Sequence, residues 1–143
     1  MRKRITKSPK VYLTDSGMLH VLSGIRERDR LTGHVLFGHS WEGFVIQQVR
    51  SWLGRRAELY YYRTLDGSEL DLVITQGLKP IAAIEIKSTN SPAFSKGNQL
   101  AFEAVNAPLQ LICTPSAEDY TYSKKIRVCS LGTLFKHLDK AVR

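Results

Sequence analysis

Apolar residues in this chain fall into short runs whose spacing alternates between two periods. In SWEGFVIQQVRSWLG (40–54), Trp41, Phe44, Val45, Val49, Trp52 and Leu53 recur at helical spacing. That pattern predicts a helix that buries one stripe, with Ser40 able to cap its start and Gly54 able to close its end. ELYYYRT at 58–64 is rich in strand-forming aromatics, and Asp66-Gly67 marks a hairpin turn before ELDLVI at 69–74. Residues 76–79 turn again into PIAAIEIKS at 80–88, which completes a three-stranded meander. A second helix is expected from about Ser95 to Val105, ended by Asn106 and Pro108, followed by the apolar strand LQLIC at 109–113. The order over residues 40–113 is therefore α-β-β-β-α-β, an α/β core.

The flanks carry weaker patterns. KVYL at 10–13 reads as a short strand, and Thr14, Asp15 and Ser16 can cap a helix containing Met18, Leu19, Val21 and Leu22 that Gly24 ends. RERDRLTGHVLFGH, residues 26–39, has no sustained period and reads as a loop. After the core, IRVCSL at 126–131 predicts a strand and GTLFKHLDKAV a terminal helix. These readings divide the chain into an N-terminal segment of residues 1–39 and a main domain of residues 40–143, in which 114–143 support the core.

With 143 residues, 43% of them hydrophobic, the chain is long enough to bury one sizeable core. No run approaches the length of a membrane span, and the basic start MRKRITKSPK leads into VYLTDSGM, not into an unbroken apolar stretch. The expectation is a cytoplasmic protein that does not engage a membrane. Of the net charge of +8, Arg2, Lys3, Arg4, Lys7 and Lys10 supply +5, leaving +3 for residues 11–143. Charge alone therefore does not single out a nucleic-acid partner. Cys113 and Cys129 fit neither a zinc-site spacing nor a disulfide framework and read as buried strand thiols.

The chemistry lies in the second hairpin. Strand alternation sets Leu70, Leu72 and Ile74 on one face and Asp71 and Val73 on the other; on the next strand Ala82, Ile84 and Ile86 oppose Glu85 and Lys87. A turn near Leu78 pairs residues whose numbers sum to 156, so Asp71 faces Glu85 with Cβ atoms roughly 5 Å apart. Two facing carboxylates require a compensating cation, either Lys87 or a hard divalent ion such as Mg²⁺. The competing reading is an ordinary solvated face with a surface ion pair. Glu42, at the edge of the apolar stripe in the first helix, can point along the packed interface toward the sheet; its competing role is a favourable charge at a helix N-terminus.

Glu42, Asp71 in GSELDLVI, and Glu85-Ile86-Lys87 on the following strand together resemble the signature of the PD-(D/E)XK nuclease superfamily. Its restriction endonuclease-like core has the same element order in a mixed sheet flanked by helices. More widely, SPKVYLTDSGMLHVLSGI, FGHSWEGFVIQQV, YYRTLDGSELDLVI and IAAIEIKS resemble the C-terminal domain of unknown function carried by a group of prokaryotic AAA+ ATPases. The resemblance implies a detached or truncated C-terminal domain. It further implies a Mg²⁺- or Mn²⁺-dependent nuclease acting on DNA or RNA, with the ion on Asp71, Glu85, the Ile86 carbonyl and Glu42, and Lys87 orienting or activating water. Ser88, Asn90, Lys96 and Gln99 become candidate phosphate contacts, and Tyr60 and Tyr62 candidate stacking rings. Gly38 to Gly43 continues with Phe44 where a phosphate loop needs Lys, so no ATP hydrolysis is expected of this polypeptide. His34 and His39 fit no metal motif and are left outside the site. Two alternatives stay open. One is a nuclease-like module that does not cut and binds nucleic acid or a protein partner for an associated ATPase. The other is a fragment with exposed apolar surface from Val11 to Leu22 where a partner domain belongs.

Overall fold

The computed structural model describes residues 9–115 and 118–142. Arg2, Lys3, Arg4 and Lys7 of the basic tail lie outside them. The described elements are α1 (Ser16–Leu22), α2 (Arg28–Thr32), α3 (Phe37–Leu53), β1 (Glu58–Arg63), β2 (Glu69–Gln76), β3 (Lys79–Ile86), α4 (Lys96–Val105), β4 (Leu109–Thr114), β5 (Tyr120–Thr121), β6 (Ile126–Ser130) and α5 (Leu131–Ala141). The strands form one mixed sheet in the order β1-β2-β3-β4-β6-β5. The meander pairs antiparallel, while α4 carries the chain across to β4, which runs parallel to both β3 and β6. A parallel neighbour cannot be reached by a tight turn, and the helix supplies the crossover.

Local chemistry accounts for the element ends. Gly77 at φ 59 makes the tight turn of the β2–β3 hairpin, with Leu78 fully exposed at its tip. Ser95 and Asn98 close a capping box at the start of α4, and Asn106, in the left-handed region at φ 46, ends it. Gly97 lets α4 approach the β1–β2 turn closely, since a Cβ there would meet the Gly67 carbonyl oxygen at 3.3 Å.

Both faces of the sheet are covered. Leu72, Ile74, Ala82, Ile84 and Ile86 pack against Val45, Val49 and Leu53 of α3 and Leu134 and Leu138 of α5. On the opposite face Val73, Ala83, Ile112 and Val128 pack against Ala101 and Phe102 of α4. The alternation read from the sequence holds for Leu72, Ile74, Ala82, Ile84 and Ile86, but Leu70 packs on the opposite face with Val73, because the β1–β2 register shifts between Tyr60 and Tyr62. Nor is that second face solvated: β2 is buried without interruption from Leu70 to Thr75.

Three readings are corrected. KVYL is not a strand; residues 9–13 take no part in the sheet, because Lys10 and Tyr12 are anchored through their side chains and not through a backbone ladder. The 26–39 segment is not a plain loop, since it contains α2, whose five residues are too few for a helical period to repeat. It also contains the first turn of α3, which begins at Phe37. Ser40 is therefore not its cap but a buried helical residue 2.6 Å from His20 Nε2, joining α1 to α3. The apolar side chains Val11, Leu13, Met18, Val21 and Leu22 are exposed among the described residues. No helix among the described residues is long and apolar enough to cross a membrane.

Phe102 is 1% exposed and joins α4 to the sheet, with Phe94 stacked on it at 5.9 Å. Phe102→Ala should destabilise the protein by about 3–5 kcal/mol, measured as a lower urea midpoint at unchanged m-value.

Candidate active site

The β2–β3 register runs Leu72 to Ile84, Val73 to Ala83 and Ile74 to Ala82 before a bulge at Thr75. The paired register ends at Leu72 and Ile84, one residue short of Asp71 and Glu85. At that point the ladder is replaced by a side chain, as the Ile86 N–H donates to Asp71 Oδ2 at 2.9 Å. Asp71 is 7% exposed and Glu85 3%, so the solvated-face reading fails. Both acids line a cleft of about 280 Å³ at this end of the sheet, together with Glu42 of α3, Glu69, Lys87 and Ser88.

Each buried acid has its own cation. Lys87 Nζ lies 2.8 Å from Glu85 Oε1. The second cation is Lys10, from the segment before α1. Its ammonium donates to Glu42 Oε1 at 3.1 Å and Asp71 Oδ1 at 3.3 Å, and stands 3.8 Å from Glu69. The Tyr12 hydroxyl donates to the same Glu42 oxygen, and the Tyr61 ring lies 5.8 Å below the ammonium. Burial opposes the Lys10 charge, yet Glu42 and then Asp71 outweigh it and raise its pKa above the ordinary lysine value. Burial and the bond to Glu42 likewise raise the Tyr12 phenol.

The carboxylates are less fully compensated. Burial, then the charge of Glu42, raise Asp71, while the Ile86 N–H and Lys10 draw it down. Burial, then the charge of Asp71, push Glu85 up to about 7 against the pull of Lys87. The Asn98 amide of α4 also draws it down, but not from hydrogen-bond distance of Oε2, which is buried without a partner among the described residues. The donors here are oxygen atoms in excess of the cations facing them, a set that suits a hard divalent ion. Among the described residues, no three acidic, histidine or cysteine side chains already stand together as a metal shell. A site on Asp71, Glu85 and the Ile86 carbonyl needs only two of them.

Of the residues expected from sequence, Glu42, Asp71, Glu85, Ile86, Lys87 and Ser88 share the cleft. Lys96 and Gln99 do not; they line a separate groove. Asn90 is exposed in the loop after β3. A bulge divides Tyr60 from Tyr62: Tyr60 is exposed and donates to Glu58 at 3.1 Å, while Tyr62 packs against the Leu70 and Phe102 cluster. Lys10, Tyr12 and Glu69 were not singled out, and His39, set aside on spacing, lines the rim. The signal for the first two was present: in an extended segment Lys10 and Tyr12 fall on one side, opposite Val11 and Leu13.

The family model described as "Domain of unknown function (DUF4143)" matches residues 37–134. Two uncharacterized mycobacterial proteins, Rv2008c of Mycobacterium tuberculosis and Mb2031c of Mycobacterium bovis, are each 36% identical over 124 residues, which is 87% of this chain. The chain spans 28% of the length of these curated relatives. Among solved structures, a chain of the tetradecameric assembly of Thermococcus gammatolerans McrB AAA+ hexamers with bound McrC gives a TM-score of 0.44 at 14% identity, covering 73% of this chain and 31% of that one.

Glu85 sets a pH dependence. Its folded pKa of about 7 lies above the ordinary 4.5, so the stability it contributes is complete below about pH 4.5 and is lost as pH rises through 7. In the presence of chelator, Glu85→Gln should therefore melt above the wild type at about pH 8. The gap should narrow as pH falls toward 4.5; thermal melts at stepped pH check both the sign and the window.

Proposed function

The chain belongs to the DUF4143 family, and from that premise we propose that its cleft is a divalent-metal site that hydrolyses phosphodiester bonds of DNA or RNA, in a module that serves an AAA+ ATPase. The observation that carries this reading is the gathering of Asp71, Glu85 and Glu42 from two strands and a helix, with Lys87 just after β3, at one end of the sheet, where Glu85 Oε2 is buried without a partner among the described residues. The ATPase association rests on the resemblance of the segments from SPKVYLTDSGM to IAAIEIKS.

Asp71 and Glu85 are the anionic ligands in this reading, joined by the Ile86 carbonyl and supported by Glu42. Mg²⁺ or Mn²⁺ bound there polarises the phosphodiester and lowers the pKa of its bound water. Lys87 is the fixed cation of the site. It keeps Glu85 oriented and faces the charge that develops at phosphorus. The Ile86 N–H holds Asp71 in place through Oδ2, which leaves Oδ1, now on Lys10, as its exchangeable atom. Lys10 has to give up Asp71 and Glu42 for an ion to enter, so ammonium and metal compete for the same oxygens.

The competition also favours a second reading. Where Lys10 holds its position against the ion, the domain is a nuclease-like module that does not cut and binds nucleic acid or a protein partner for the ATPase.

Two measurements separate the readings. In a cleavage assay with Mn²⁺, Glu85→Ala and Lys87→Ala should each lower the rate about a hundredfold or more, as the loss of a charge-stabilising group does elsewhere; equal cleavage by wild type and both variants refutes the assignment. In calorimetric titration with Mn²⁺, Lys10→Ala should bind the ion on the order of tenfold more tightly, equivalent to about 1.4 kcal/mol. Mn²⁺ binding by Lys10→Ala with none by the wild type favours the second reading, and binding by neither removes the metal site.

A further inference from the structure

On the other side of α4 from its contact with β2 lies a groove of about 590 Å³, roughly twice the volume of the carboxylate cleft. Helix α4 packs chiefly over β2 and β3, and the groove beside it is floored by Gln110 and Ile126 and walled by α4 and residues 122–125. We infer that this groove binds a single-stranded stretch of nucleic acid, with a base against Phe94 and Tyr122 and phosphates at Lys96, Lys124 and Lys125.

Three features support that occupant. First, Phe94 is held between Tyr122, at 5.1 Å and 52°, and the buried Phe102, at 5.9 Å and 28°, which makes a fixed aromatic wall. Tyr122 is 42% exposed, so part of its ring faces solvent. Second, Lys96, Lys124 and Lys125 are exposed around this wall, and none forms an ion pair with a described residue. The one carboxylate lining the groove, Glu103, accepts from the Gln99 amide at 3.0 Å. Three uncompensated ammonium groups around a concave aromatic surface favour a ligand that is both anionic and ring-bearing. Third, the volume lies in the range of small-ligand sites and accommodates a nucleotide unit. The base is specified as unpaired because only an unstacked base can offer its face to a side-chain ring; duplex bases are already stacked on one another.

The groove also lies close to the proposed chemistry. Ser95 and Lys96 line its end at the start of α4, and Asn98 of the same turn stands beside Glu85. A strand seated at Tyr122 and followed along α4 leads toward the acids. The inference thus deepens the phosphodiesterase reading by naming a single-stranded substrate, while binding in the groove requires no metal.

The test is fluorescence anisotropy of the full chain with a short labelled oligothymidylate in chelator. Wild type should bind in chelator, and a duplex of the same length should bind more weakly. Tyr122→Ala should lose about tenfold in affinity and Tyr122→Phe almost none, because stacking and not the hydroxyl is at stake. A Lys124→Ala, Lys125→Ala double variant should flatten the slope of log affinity against log salt by about 1.4, at about 0.7 for each phosphate no longer neutralised. Equal binding by wild type, Tyr122→Ala and the double variant overturns the inference, as does displacement of the oligonucleotide by polyglutamate at matched charge. The two proposals fail separately. Groove-dependent binding without Mn²⁺-dependent cleavage supports the groove and removes the nuclease, whereas cleavage with binding indifferent to Tyr122 and the lysines removes the groove alone.

Discussion

Asp71 and Glu85 are carboxylates withdrawn from water at the end of a sheet, and the surroundings of the cleft answer that constraint. A buried acid without a partner cation costs several kcal/mol, so each must be paired, hydrogen-bonded or protonated. The protein uses all three responses. Lys87 pairs with Glu85, the Ile86 N–H and Lys10 serve Asp71, and burial, then the charge of Asp71, raise the Glu85 pKa to about 7, easing its protonation. The arrangement remains short of positive charge, which is the basis of the metal-site proposal.

The burial of these acids follows from the two-sided packing of the sheet. Were only the α3 and α5 face covered, Asp71 and Glu85 would face water and behave as an ordinary surface pair. Helix α4, brought across by the crossover from β3 to β4, closes the second face over Val73 and Ala83 and sets Asn98 beside Glu85. Between the same helix and residues 122–126 the surface stays open as the groove beside Phe94 and Tyr122. One helix position thus creates both a desolvated site and an open basic channel next to it.

Lys10 links the site to the region before α3. Its ammonium and the Tyr12 hydroxyl tie residues 9–13 to Glu42 and Asp71, and His20 ties α1 to Ser40 on the same helix. Around these polar anchors the apolar side chains Val11, Leu13, Met18, Val21 and Leu22 remain exposed. This region is therefore held to the domain by charge and hydrogen bonds more than by burial, the class of contact most sensitive to ions and pH.

By itself the sequence determined the element order from α3 to β4, the β2–β3 register from Leu72 to Ile74 and the sidedness of its residues apart from Leu70. These depend on local periodicity, on the turns at Gly67 and Gly77 and on the cap at Ser95, all written within a few residues of where they act. Alternation together with the turn near Leu78 brought Asp71 and Glu85 to the same end of the hairpin, and helical spacing put Glu42 beside the apolar stripe. Other features were decided only by the tertiary structure. Short α2 and the early start of α3 lack a repeating pattern, and the covering of the second face depends on where a crossover helix lands. The arrival of Lys10 between Glu42 and Asp71 joins residues 32 and 61 positions apart along the chain. A pairing at that separation leaves no periodic trace, because it is selected by the electrostatic need of buried oxygens and not by the local geometry of the backbone.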